Sequence, residues 1–393
     1  MKKLMSGSDA VAEAVKMAKV DIISAYPITP QTHIIEKLAS MCAKGELNAT
    51  YINVESEHSA LAALIGAATT GAKTFTATAS QGLALMHELL HWAGNGRAPV
   101  VMAVVNRALG PGWNIWTDQT DSLAQRDTGW VQLYCNNAQD VFDHILMAFP
   151  LARLAHLPVM VVLDAYLLSH TYEPMEIPPQ ELVDNYLYDM PEMQYGINFE
   201  NPTSLWQLSM PADYSEFRRK LQRAMDNVGS AYTLEAGQFY KYFGRKHALT
   251  EVYTLTEDKV KHKNLLITTG TITNTARAYI DATKRFDTAI CNLRMLRPFT
   301  PDGLAGWAAK AENIIVIDRN LSPGMGGIWA QEVRAWLSAY KRDVSYHKPL
   351  AIPVYSYIAG MGGTDVTEET IERILNHVES EGTYKQSNFV EDI

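Results

Sequence analysis

The chain has 393 residues, 47% of them hydrophobic and 20% charged, which argues for two or three domain cores and against wholesale disorder. Its 34 basic and 43 acidic side chains leave a net charge of −9, whereas a nucleic-acid partner would call for a basic face. Three scattered cysteines, Cys42, Cys135 and Cys291, with no CxxC, argue against a disulfide scaffold, point to a reducing compartment and are too few to ligate a cubane iron–sulfur cluster.

The start, MKKLMSGSDA, has two lysines but no apolar signal-peptide core. The most apolar stretch, FPLARLAHLPVMVVLDAYLL, is broken by Arg153, His156, Pro158 and Asp164, where a membrane span needs about 18 uninterrupted apolar residues. A cytoplasmic protein with no membrane contact is expected. SDAVAEAVKMAK (8–19) then shows helical apolar spacing after a Ser/Asp start, and DIISAYP reads as a short strand. QTHIIEKLASMCAKG is helical and closes on Gly45; ATYINVE is a strand, and HSALAALIGAATTG a small-residue helix ending near Gly71. KTFTATA (strand), QGLALMHELLHWAG (helix) and APVVMAVVN (buried strand) follow. Beyond a long loop come helix AQDVFDHILMAFPLARLA and strand PVMVVLD. This βαβα rhythm predicts a mostly parallel sheet covered on both faces.

From Ala165 to about Glu200 the rhythm fails, and Pro, Met and Tyr accumulate in YEPMEIPPQ and YLYDMPEMQY, as in an extended arm. PADYSEFRRKLQRAMDNV reads as one amphipathic helix. A second α/β run begins near residue 263: strands NLLITTG, DTAICNL, NIIVIDR and IPVYSYIAG alternate with helices, and GMGGTDVTEETIERILNHV is a glycine turn feeding a capped helix. The final twelve or so residues read as frayed. The predicted fold class is α/β, two doubly wound, mostly parallel-sheet domains over 1–172 and 241–393, joined by a connecting arm and helix over 173–240.

Ligands of open parallel sheets bind beyond the carboxyl ends of the strands, and four segments of the first domain fall there. In Tyr26-Pro27-Ile28-Thr29-Pro30 two prolines fix the backbone and hold the Thr29 hydroxyl in one direction, although a rigid turn that starts a helix accounts for the same spacing. In Glu55-Ser56-Glu57-His58 two acids stand at a helix start, which ordinary capping explains; strand alternation puts Glu55 and Glu57 on one side and does not choose between them. His58 has no partner at metal-ligand spacing, so no metal site is read. Thr76 through Gly82 is small and hydroxylic, suited to close approach by a ligand and equally to tight packing; it lacks the P-loop lysine and GxGxxG spacing. The long loop from Asn106-Arg107 to Gly129 places a guanidinium directly after a buried strand, where it matches a carboxylate bidentately, and GPGWNIWTDQTD reads as a pocket wall.

Taken together, AYPITP, VESEHSALAALIGAATTGAKTFTATASQGLALMHE and NRAL…NIW…RDTGW closely resemble the α subunit of the pyruvate:ferredoxin oxidoreductases, in the thiamine-diphosphate-dependent 2-oxoacid:ferredoxin oxidoreductase family. The resemblance is dense over 5–170 and thinner over 240–370, through FGRK, RMLRPF and IAGMGGTDVT. It implies a pyrimidine-binding-type domain at 1–172 and a transketolase C-terminal-like domain at 241–393. It implies a thiamine diphosphate site shared with a partner, because the GDG…N motif that grips Mg²⁺ and diphosphate is absent. Companion β-, γ- and δ-type subunits would carry the Mg²⁺ and [4Fe-4S] clusters, with ferredoxin, coenzyme A and a 2-oxoacid as reaction partners.

Residue by residue, Glu57 matches the glutamate that hydrogen-bonds the aminopyrimidine ring nitrogen and requires a dry setting. Thr29 matches the hydroxyl that contacts the substrate carboxylate, and Arg107 the guanidinium that pairs with it. Ile115 matches an apolar residue lining cofactor and substrate, and Tyr26 a residue at the pocket edge. The implied reaction is oxidative decarboxylation of pyruvate to acetyl-CoA and CO₂ with reduction of ferredoxin, or its reverse. ALGPGWNIW departs from the pyruvate-type pattern through its glycines and Trp113, which leaves branched-chain acids such as 2-oxoisovalerate open, as well as a non-catalytic scaffold subunit. Arg294 and Arg297 suit either an anion or structural ion pairs, and Gly360, Gly362 and Gly363 suit a turn at a subunit contact.

Overall fold

A computed structural model describes the chain except residues 1, 189, 192, 194, 195, 203, 257–259, 341–352 and 381–385. Two parallel-dominated sheets organise it. The seven-stranded sheet runs, edge to edge, Met295–Arg297, Val131–Tyr134, Val159–Asp164, Val100–Asn106, Thr74–Thr78, Ile22–Ala25 and Thr50–Asn53, and only Met295–Arg297 is antiparallel to its neighbour. The six-stranded sheet runs Asn388–Phe389, Val354–Ile358, Ala311–Asp318, His262–Thr268, Thr288–Leu293 and Thr250–Tyr253, with only the last antiparallel.

The central strands Val100–Asn106 and Val159–Asp164 are buried at every residue, as their unbroken apolar sequence requires of strands covered on both faces. Against one face lies helix Ala138–Ala155, started by the Asn137 side chain accepting from the Asp140 amide at 2.8 Å and ended by His156 in the left-handed region. It packs on Gly7–Met17, whose Ser6–Asp9 capping box fixes its first turn, and on Val228–Phe243. Phe142, Ile145, Leu146 and Phe149 of this helix are essentially solvent-free, each contributing roughly 1.5–3 kcal/mol by burial.

Several elements depart from the sequence expectation. Lys2–Ser6 forms a strand antiparallel to Tyr172–Glu176, so the expected surface arm begins as half of a hairpin-like ribbon made with the N-terminus. The amphipathic helix Pro211–Asp226 is followed at once by a second, Val228–Phe243, whose glycines and aromatics blur its period. The frayed C-terminus is corrected for 386–393, because Asn388–Phe389 extends the second sheet beside Tyr357–Ile358. Most consequentially, Met295–Arg297 leaves the second run of strands to pair with Val131–Tyr134 at the edge of the first sheet.

Arg294, just before that strand, is 1% exposed and resolves the earlier choice in favour of ion pairs: Nη1 reaches Asp140 at 2.5 Å and Nη2 reaches Glu251 at 2.7 Å. Arg297 pairs with Glu332 at 2.7 Å. Among the described residues no helix is long and apolar enough to cross a membrane.

Candidate functional site

The sheet order explains why segments distant in sequence meet. Val100–Asn106, Thr74–Thr78, Ile22–Ala25 and Thr50–Asn53 are successive parallel neighbours, so their carboxyl ends form one edge. That edge delivers Arg107, Ser80–Gly82, Tyr26–Pro30 and Glu55–Glu57 side by side, and three of these segments are joined by direct bonds. Arg107 is 6% exposed; its Nη1 donates to the Thr29 carbonyl at 2.7 Å and its Nη2 to Gln81 Oε1 at 2.6 Å, while Nε has no partner among the described residues. Burial lowers the pKa of this guanidinium. Trp113 covers it, with the ring centroid 5.1 Å from Cζ.

Glu57 and Glu55 have different fates. The strand stops at Asn53 and Ser56 caps the helix Glu57–Ala68 by accepting from the Ser59 amide at 3.2 Å, so alternation ends before either acid. Glu55 is exposed and bonds Ser59 Oγ, which lowers its pKa. Glu57 is 7% exposed, and its carboxylate takes no hydrogen bond among the described residues. Gly82 makes room for it, because a methyl group there would lie 2.5 Å from Glu57 Oε1 and 2.6 Å from Thr78 Oγ1, itself buried without a partner. The charge of Glu57 is also felt at Arg107. Thr29 and Tyr26 lie exposed at the edge, and Ile115 is half-buried in the loop beyond Arg107.

Three supports escaped the sequence reading. Gln31, fully buried, donates to the Ala77 carbonyl at 2.5 Å and the Tyr26 carbonyl at 3.3 Å, tying the proline-rich turn to the adjacent strand. Gln81 holds one arm of the Arg107 fork. Asp121 is the hub: one carboxylate oxygen accepts from the amides of Ser80 at 2.8 Å and Arg107 at 3.0 Å, the other from Asn106 at 2.5 Å and the Ser122 amide at 2.7 Å. Burial pushes its pKa up to about 7. The only sequence signal for Asp121 was its place in the polar WTDQTD run.

One further cluster has the chemistry of metal ligands. Cys135, Asp140 and His144 present donor atoms within 4.8 Å of one another, all buried. They are already engaged: Arg294 takes Asp140, His144 bonds the Asp140 carbonyl at 2.8 Å and the Tyr232 hydroxyl at 2.9 Å, and burial pushes the Cys135 thiol up. A guanidinium stands where a cation would serve, so the set reads as an ion-pair network.

Residues 13–235 match the family described as pyruvate flavodoxin/ferredoxin oxidoreductase, thiamine diphosphate-binding, and residues 263–371 match pyruvate:ferredoxin oxidoreductase core domain II. The chain belongs to this family. As an α subunit of a 2-oxoacid:ferredoxin oxidoreductase, it is 43% identical to ketoisovalerate oxidoreductase subunit VorA of Pyrococcus abyssi, over 95% of this chain and 92% of that one. It is 41% identical to pyruvate synthase subunit PorA of Methanocaldococcus jannaschii, over 96% and 95%. Its fold matches a 2-oxoglutarate:ferredoxin oxidoreductase from Magnetococcus marinus at TM-score 0.71 and 20% identity, covering 97% of this chain and 65% of that chain.

The α subunit therefore carries a thiamine diphosphate-binding domain and works with companion subunits. Its residues fit the cofactor: a glutamate only 7% exposed, beside an orphaned threonine hydroxyl and a glycine that leaves space, suits the polar edge of a heteroaromatic ring.

Proposed function

We propose that this α subunit supplies the pyrimidine half of a thiamine diphosphate site completed by a companion subunit, and that the enzyme oxidatively decarboxylates a 2-oxomonoacid. The observation that carries the reading is Glu57, a carboxylate side chain only 7% exposed and set against Gly82, on the same strand-end edge as the Arg107 fork. Glu57 holds and orients the aminopyrimidine edge by a hydrogen bond in a water-poor setting, where such a bond is strengthened. Arg107 binds the substrate carboxylate with Thr29 beside it, fixing the distance between reactants; its unpartnered Nε and its exchangeable bonds to a carbonyl and an amide leave donors for an incoming anion. Ile115 and Tyr26 line the edge of the pocket and limit water. Thiamine diphosphate, when bound, supplies the carbanion chemistry.

The diphosphate, Mg²⁺ and [4Fe-4S] clusters belong on β-, γ- and δ-type companions, consistent with the missing GDG…N motif and only three cysteines. Ferredoxin takes the electrons and coenzyme A the acyl group. Pyruvate is the first substrate reading, in either direction, because the Tyr26–Pro30 turn beside Arg107 contains no cationic residue to serve a second carboxylate. The ketoisovalerate relative, at 43% identity against 41% for the pyruvate one, supports 2-oxoisovalerate as a second reading. The assembled complex, assayed with a panel of 2-oxoacids, coenzyme A and a viologen acceptor, tests both. Glu57→Ala and Arg107→Ala should abolish turnover, and unchanged turnover in both would leave only a scaffold role.

A further inference from the structure

One turn of the second half of the chain grips the loop that carries Ile115. Asn114 and Trp116 flank Ile115, and the Asn114 side chain brackets it. Its Oδ1 accepts from the Trp116 amide at 2.9 Å, while its Nδ2 donates to the Gly362 carbonyl at 2.9 Å. The outer end of the bracket therefore belongs to the turn at 360–363, 248 residues away.

Each glycine of that turn has a local reason to be glycine. Gly360, Gly362 and Gly363 have φ of 77°, 59° and 86°, in the region that favours glycine. A methyl at Gly362 would lie 2.9 Å from Asn114 Nδ2, one at Gly360 2.9 Å from Arg319 Nε, and one at Gly363 would overlap the Trp116 side chain. The two surfaces are thus fitted at backbone distance. Past the bracket, the Gln119 amide donates to the Arg319 carbonyl at 2.9 Å. Before it, the Ala108 amide donates to the Trp116 carbonyl at 3.2 Å, and the Ala108 carbonyl accepts from Ser80 Oγ at 2.7 Å. Ile115 thus sits on a loop with one end fixed to the first sheet's edge and the middle fixed to the second half.

We infer that the glycine turn 360–363 is a positioning element for the Ile115 wall of the substrate pocket, and that through Asn114 it sets which 2-oxoacid side chains fit. The inference rests on the preceding reading of Ile115 as pocket lining; the turn itself touches no reacting atom. A bracket held from a separate structural unit keeps the Asn114–Trp116 segment in one place, and small displacements of such a wall alter substrate fit.

The test uses the assembled complex with Asn114→Asp, which keeps the acceptor for the Trp116 amide but sets a carboxylate against the Gly362 carbonyl, and Gly363→Ala, which pushes on Trp116. Both should raise KM for the preferred 2-oxoacid about tenfold. They should also change the ratio of kcat/KM between pyruvate and 2-oxoisovalerate by about threefold or more, with thiamine diphosphate content unchanged. An equal fall in kcat for both acids, with KM and the ratio unmoved, would overturn the inference. Hydrogen exchange of peptides spanning 108–119 reads the bracket without activity: faster exchange in both variants is expected, and unchanged exchange overturns it. A parent complex that turned over no 2-oxoacid would refute the functional reading instead, and the exchange arm would still decide whether the turn holds the loop.

Discussion

Gly82→Ala is a one-carbon perturbation aimed at the Glu57 carboxylate. Gly82 lies in the short helix Ser80–Leu85 and its own φ is not positive, so the backbone there accepts alanine, and helix propensity alone would favour the change by about 1 kcal/mol. Space opposes it. The added methyl would lie 2.5 Å from Glu57 Oε1, 2.6 Å from Thr78 Oγ1 and 2.9 Å from Glu57 Cδ, whereas ordinary contact begins near 3.4 Å. Relief requires the carboxylate to move by roughly an ångström, since the Thr78 side chain is buried on a central strand. Overpacking costs typically 1–3 kcal/mol, so after the helix gain the net loss of stability should be at most about 2 kcal/mol. Activity should suffer more, because an ångström of misplacement at a reacting group can cost about a hundredfold. Gly66→Ala is the control: it lies in the helix that carries Glu57, meets nothing within 4 Å, and should leave activity intact while raising stability by about 0.5–1 kcal/mol. Denaturation midpoints of both variants, with turnover and thiamine diphosphate content of the assembled complexes, check the argument. Full activity in Gly82→Ala with a stability loss would show that the Glu57 carboxylate has no orienting role.

Arg107→Lys keeps the charge but loses the fork that spans Thr29 and Gln81, so KM for the 2-oxoacid should rise about tenfold or more in steady-state assays with thiamine diphosphate retained. Arg294→Ala strands Asp140 and Glu251 without their shared cation, and denaturant unfolding should show a loss of about 3–5 kcal/mol. Burial raises the Asp140 pKa, but Arg294, His144 and His247 outweigh it and hold the carboxyl well below its ordinary value; its stabilisation is therefore present above about pH 4 and lost as pH falls below it, a dependence that denaturation midpoints should show and that Arg294→Ala should flatten. Asp121 has the opposite sign: burial raises its pKa to about 7, so the stability it confers is present below about pH 4 and lost as pH rises through about 7, and Asp121→Asn should remove that slope from the midpoint-versus-pH curve.

What the sequence showed of the site was the part written in contiguous residues. Apolar runs mark the central strands, and whatever follows them must lie at the carboxyl edge, so YPITP, TATASQG and NRAL could be placed together before any coordinates. The choice between Glu55 and Glu57 could not be made by strand alternation, because the strand ends at Asn53 and the helix cap at Ser56 decides which acid is turned inward. Gln31, Gln81 and Asp121 were not legible for a different reason: a polar side chain in a loop is usually solvated, and only the tertiary fold shows that Gln31 and Asp121 are buried against backbone groups that need them and that Gln81 meets the Arg107 guanidinium. The strand Met295–Arg297 was missed because three residues are too short for a periodic signal and its partner lies about 160 residues earlier.

The joint between the two halves has a carboxylate at its centre. Asp164, at the end of a central strand of the first sheet, accepts from the Thr271 amide at 2.9 Å, Thr271 Oγ1 at 2.7 Å and Arg319 Nη1 at 3.3 Å on the second half. From the loop beyond Arg107 it accepts Thr117 Oγ1 and Gln119 Nε2, both at 3.2 Å. A methyl at Gly270 would lie 2.7 Å from that carboxylate, so the approach is as close as a glycine permits. The same side chain thus fixes the far end of the loop beyond Arg107 and meets the second half of the chain, and Arg319 continues the contact to the turn at Gly360. Loops at strand ends are mobile by default, and here the loop beyond Arg107 is held by bonds to Gly362 and Arg319, in turns that follow strands of the second sheet.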